Sequence, residues 1–137
     1  MEFFVMRTVF CTLAAAFLLT GCALWEADNN YLQPEDFARK LAKDGIYVEA
    51  IRPLNPQALA AGAAMEFKIG GSNIGVYKYD TNVKAQRKRL EWIKKNKKVF
   101  FNGIPYPVYE VSGSFIVIGL DKHKDKARIL DSLRNFK

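Results

Sequence analysis

The chain has 137 residues, half of them apolar, and its 21 lysines and arginines outweigh 14 acids for a formal net charge of +7. This length fits one domain and buries enough surface for a core without covalent staples. Two cysteines and one histidine leave little for a disulfide framework or a zinc site.

Thr8 to Leu19 is an uncharged apolar run preceded by Arg7. It is too short for the ~20 residues that span a bilayer, but it suits the apolar centre of a secretory signal. Glu2 opposes the positive start such signals have, so Met6-Arg7 makes a better beginning than Met1. The run closes in Leu18-Leu19-Thr20-Gly21-Cys22. This resembles a bacterial lipobox, in which the cysteine thiol receives a lipid and the preceding peptide is removed. The alternatives are a plain secretory signal or an apolar helix that ends by chance in cysteine. The lipobox reading makes residues 1–21 a signal peptide and Cys22 the lipid attachment site, and leaves 116 mature residues. Cys11 falls in the signal, so no thiol remains for a disulfide or a metal. Ala23, after the anchor, resembles the outer-membrane sorting pattern of envelopes with two membranes. With a single membrane the domain would sit on its outer face.

Residues 22–33 read as a tether, with Asp28-Asn29-Asn30 turn-like, and residues 34–137 as one domain. Pro34, with Glu35 and Asp36 behind it, opens a helix over 34–44 that Gly45 stops. Phe37, Ala38, Leu41 and Ala42 form its apolar face. Residues 46–52 read as a strand, ended by Pro53 and Pro56, and 56–61 as a short helical turn. Strands over 64–69 and 74–79 flank Gly70-Gly71-Ser72-Asn73, the clearest hairpin in the chain. The glycine pair lacks the Gly-Lys-Ser ending and following helix of a phosphate loop. No cofactor-binding motif stands out.

Asp80 or Thr81 caps a helix over 81–96. Val83, Gln86, Leu90 and Ile93 line its apolar face, with Ala85 and Trp92 nearby, and Lys84, Arg87, Lys88, Glu91, Lys94, Lys95 and Lys98 follow the other. Between residues 84 and 98 stand eight basic residues and one acid, and the rest of the mature chain balances to zero. The whole charge excess is therefore one patch. Residues 99–102 and 104–111 are extended, and Pro105 and Pro107 make that region an edge, a bend or a bulge. Ser112-Gly113-Ser114 turns the chain into the apolar run 115–120, the best central strand. Asp121 caps a last helix with Ile129, Leu130, Leu133 and Phe136 inward. The expected fold is α+β: an antiparallel sheet of about five strands with helices packed mainly on one face. Two β-β-α stretches hint at a pseudo-repeat, but their residues do not align.

From Phe37 onward the layout resembles a family of small, mostly uncharacterised bacterial lipoproteins. The positions that carry the likeness are Gly70-Gly71, Val76-Tyr77-Lys78-Tyr79-Asp80, Ala85, Pro107-Val108-Tyr109 and Phe115-Ile116-Val117-Ile118-Gly119. The basic helix and Ile104-Pro105-Tyr106-Pro107 depart from the family pattern. The resemblance implies an exported, lipid-anchored location and this fold, but no activity.

Lys84, Arg87, Lys88, Lys94, Lys95 and Lys98 could contact anionic lipid, an envelope polymer or an acidic partner, or could be only a solvated face. Export disfavours nucleic acid. Phe100, Phe101, Tyr106 and Tyr109, with the two prolines, could line a partner groove or could cover the end of a core. His123 lies among lysines with no serine near it in sequence, and Ser112 and Ser114 flank a turn glycine. No nucleophile-base pair can be picked out. The expected function is a membrane-anchored binding or adaptor module, with a structural or assembly role as the alternative and a hydrolase or inhibitor further off.

Overall fold

The computed structural model describes residues 28–137. The expected signal peptide, Cys22 and most of the expected tether lie outside these residues. The elements run α1 Pro34–Lys43, β1 Ala50–Pro53, a 3-10 turn Pro56–Leu59, β2 Ala63–Ile69, β3 Ser72–Lys78 and α2 Lys84–Asn96. They continue as β4 Lys98–Phe101, β5 Ile104–Pro107, β6 Val111–Ser112, β7 Phe115–Ile118 and α3 Lys126–Arg134. Five strands form an antiparallel sheet in the order β1-β2-β3-β7-β6, and β4 and β5 form a separate two-stranded ribbon. The fold is α+β.

Alternation along β2, β3 and β7 sends side chains to both faces of the sheet. Phe67, Ile69, Ile74, Val76, Phe115 and Val117 point to one face. There they meet Phe37 and Leu41 of α1, Ile129 and Leu133 of α3, and Phe136. The rings interlock: Phe136 lies 5.2 Å from Phe37 and 4.9 Å from Phe115, in tilted and edge-on geometry. Such pairs add roughly 0.5–1.5 kcal/mol each beyond the area they bury. On the opposite face Ala64, Tyr77 and Ile116 pack with Leu90 and Ile93 of α2, Tyr79, Val99, Val108 and Leu59. Both faces are thus covered, two helices on one and α2 with the ribbon on the other, because apolar residues stand at both strand parities.

Local chemistry fixes the element ends. Gly45, at φ +83°, donates to Ala42 O while Ile46 N donates to Leu41 O. That double bond closes α1 as a Schellman motif. Ile46 is consequently a cap residue packed in the core, so the strand expected from residue 46 starts only at Ala50. Ala42 is exposed, outside the apolar face assigned to it. Gly70 and Gly71 (φ +58° and +80°) form the two-residue turn between Ile69 and Ser72. Positive φ at both positions marks a type I′ hairpin.

The last helix starts later than expected. Asp121 does not cap it; Asp125 occupies the N-cap position and residues 121–125 form a turn. The buried His123 ring fixes that turn, with Nε2 2.9 Å from the carbonyl of Ile69 and Nδ1 accepting from Asp125 N at 3.0 Å. This arrangement puts the ring proton on Nε2, and both nitrogens are engaged by backbone. Likewise α2 starts at Lys84 behind Val83, because Asp80 turns its carboxylate to Asn82 N at 2.9 Å.

Candidate functional site: the basic helix and its flanks

α2 has two faces of opposite character. Leu90 and Ile93 are buried and Gln86 is half-buried, whereas Lys84, Arg87, Lys88, Lys94, Lys95 and Lys98 are all exposed, as are Arg89 and Lys97. None of these eight cations forms a salt bridge among the described residues; the five ion pairs there lie elsewhere. Val83, placed on the apolar face from sequence, is exposed because it precedes the first turn of the helix, and Ala85 and Trp92, placed near that face, are exposed too.

Helical spacing of 100° per residue divides the cations into groups. Lys84, Lys88 and Lys95 fall on the outermost line, opposite Leu90 and Ile93. Arg87 and Lys94 fall on one flank and border a cleft of about 490 Å³ between α2 and the edge strand β6. Glu110, Gly113, Ser114 and Arg134 form part of the far wall. Arg134 Nε donates to Glu110 Oε1 at 3.0 Å and lies 2.7 Å from Oε2, off the line of a second hydrogen bond. That pair neutralises itself, and Asp28 and Glu91 stand in the same lining against Arg87 and Lys94, so the cleft carries charges of both signs in balance. Arg87 is oriented by donating from Nη1 to Thr81 O at 2.9 Å.

Asp28, the first described residue, borders the same cleft beside α2. The chain is pinned immediately afterwards. Asn29 is fully buried, with Nδ2 donating to Ser112 O (3.0 Å) and Phe136 O (2.9 Å) and Oδ1 accepting from Ser114 N (2.8 Å). Asn30 donates to Asp80 Oδ1 at 3.1 Å and accepts from Thr81 N and the Ser114 hydroxyl at 2.9 Å each. Asn30 and the Asn82 amide together hold the Asp80 carboxyl below the usual carboxylate range. Asn29 and Asn30, expected to lie in a tether running to residue 33, are therefore bonded into the domain. Gly113 leaves room for this clasp, because a Cβ there would strike the Asn29 amide.

On the other flank of α2, Trp92 stacks near Phe100 of β4 with ring centroids 6.3 Å apart. β4 and β5 join through Asn102-Gly103, at φ +51° and +77°, between the paired Phe101 and Ile104. Asn-Gly at such a two-residue turn is a strong hairpin signal. The prolines obscured it, yet both are accommodated on an edge strand, Pro105 opposite Phe100 and Pro107 opposite Lys98.

Of the three expected groove residues, Phe101 and Tyr106 come together, rings 6.5 Å apart, and line an apolar groove of about 240 Å³ with Tyr77 and Ile118 of the sheet. Burial pushes the Tyr77 hydroxyl pKa up, with a further push from Glu66. Tyr109 does not join the groove; its ring is covered by the Lys126 ammonium 3.6 Å from the centroid. Tyr79 is wholly buried and donates to Leu59 O at 2.8 Å, and burial raises its pKa far above the tyrosine range. Among the described residues no group of three or more His, Cys, Asp and Glu is placed to hold a metal ion, and no helix is long and apolar enough to cross a membrane.

No protein-family model, curated protein or solved structure matches this chain. Its function is read from its own residues and geometry.

Proposed function

We propose that this protein is an exported lipoprotein, anchored to the cell envelope through a lipid on Cys22, whose domain binds an anionic surface through α2. The observation that carries the reading is a coincidence of position. The chain enters the domain beside Arg87 and Lys94, and all the unbalanced charge lies on and just after that same helix. Five residues lie between Cys22 and Asp28, and the six steps reach about 20 Å at ~3.3–3.6 Å per residue. A lipid on Cys22 would therefore hold α2 within a few helix diameters of the headgroups.

The physical logic is that of two weak signals. A single acyl chain gives marginal anchoring, and each Lys or Arg near an anionic surface adds about 1 kcal/mol. Cations that form no salt bridge among the described residues meet such a surface without first breaking an ion pair there. Mass spectrometry of the processed N-terminus and fractionation of cells test the anchor. A Cys22→Ser chain processed and membrane-associated like the parent would overturn it.

A further inference from the structure

We infer that the β4–β5 hairpin, together with Trp92, is an apolar wedge that enters the interfacial layer of the bilayer, while the lysines around it hold the headgroups. The inference deepens the proposed function and rests on it. Four large apolar side chains are left in solvent at this one place: Trp92 at 38 % exposure, Phe100 at 48 %, Phe101 at 39 % and Ile104 at 55 %. Phe101 and Ile104 are paired across the Asn102-Gly103 turn, so they sit together at the turn end of the hairpin. Phe100, which strand alternation turns to the other face of the ribbon, meets Trp92 of the helix with ring centroids 6.3 Å apart, so apolar side chains stand on both sides of the hairpin.

The charge around this patch selects the occupant. Lys95, Lys97 and Lys98 are exposed where α2 passes into β4. The Lys98 ammonium stands 5.4 Å from the centre of the Phe100 ring. Aromatic rings bordered by lysine ammonium groups match the headgroup boundary of an anionic bilayer, where rings settle at the polar-apolar border and ammonium groups meet phosphate. Pro105 and Pro107 withdraw amide donors from β5, which discourages a partner strand from adding to that edge. An extended protein segment is thereby a poorer occupant than a lipid surface.

Trp92 can report on its own environment once Trp25→Phe removes the other tryptophan of the chain. The full-length protein, isolated from membranes and reconstituted into phosphatidylglycerol-containing vesicles, is read by Trp92 emission, by quenching with lipids brominated near the headgroup end of the acyl chain, and by aqueous acrylamide. The expected result is emission shifted to shorter wavelength, quenching by bromolipid and shielding from acrylamide. Phe100→Ser with Ile104→Ser is expected to reduce the bilayer-inserted fraction about tenfold or more, from the apolar area removed, with an unchanged circular dichroism spectrum. Absence of lipid on Cys22 would refute the proposed function on which the wedge depends. With a lipidated, vesicle-bound protein, a Trp92 that stays accessible to acrylamide and untouched by bromolipid overturns the wedge alone. Protection of Trp92 only on adding an acidic protein overturns it as well.

Discussion

The two faces of the sheet are built from the same strands and have opposite characters. Against one face, α1, α3 and Phe136 close a layer in which Phe37, Phe67 and Phe115 are wholly buried. Against the other, α2 and the hairpin cover the sheet but leave Trp92, Phe100, Phe101 and Ile104 in solvent beside a row of cations. A layer that buries its aromatics serves stability. A layer that buries Tyr77 and Tyr79 but leaves four large apolar side chains exposed beside the chain's excess charge has kept surface available for another phase or molecule.

Substitutions can break this contrast. The largest effect is expected in the closed layer: Phe115→Ala should cost about 3–5 kcal/mol in chemical denaturation, from lost burial and the cavity left behind. Phe100→Ala, an aromatic truncation of the same size, should cost less than ~1 kcal/mol because the ring is already half in water. Equal losses at the two positions would abolish the distinction between the layers.

In the open layer, changing Lys84, Lys88 and Lys95 to Gln should weaken contact with anionic vesicles by ~10²-fold at low salt. The same change should leave folding stability within ~0.5 kcal/mol per site. Vesicle sedimentation and urea titration measure the two quantities separately.

Between the layers in magnitude lies the clasp at the chain's entry. Asn29→Ala removes the partners of three backbone groups and should cost about 2–3 kcal/mol in urea titration. It should also free residues 28–33 to exchange amide hydrogens.

The smallest effect is acid sensitivity at Asp80. Its carboxyl is held low first by Asn30 and then by the Asn82 amide. The stabilisation is therefore complete above the ordinary carboxylate range, near pH ~4, and is lost as pH falls through the lower folded value. Hydrogen exchange at Asn82 should accelerate below that range more in the parent than in Asp80→Asn.

What could be read from the sequence was local. Gly45 as a helix stop, Gly70-Gly71 as a hairpin turn and Phe115-Ile116-Val117-Ile118 as an interior strand each depend on neighbours within a few residues. The exposure of the basic face followed from helical period alone. The rest depended on distant partners. Asn29 reads as a turn residue until its bonds to Ser112, Ser114 and Phe136, 83 to 107 positions away, are seen. His123 reads as a solvated lysine neighbour until it meets Ile69, 54 positions away. Tyr109 went wrong for the same reason, its ring being covered from α3 by Lys126. Asn102-Gly103 was legible in principle; Pro105 and Pro107 argued against a ladder that an edge strand permits.

The orientation of α2 is the central point, and lysine labelling of the full-length protein, isolated from membranes, tests it most directly. The protein would be reconstituted into vesicles with and without phosphatidylglycerol and treated with an amine-reactive reagent, and modification at each lysine would be read by mass spectrometry. Lys84, Lys88 and Lys95 should be protected in anionic vesicles, and the protection should fade as salt shortens the ~10 Å screening length found at 0.1 M. Lys43 and Lys68, at exposed positions on other elements, should label equally in both. Equal labelling of the α2 lysines in anionic and neutral vesicles would contradict a membrane-facing helix.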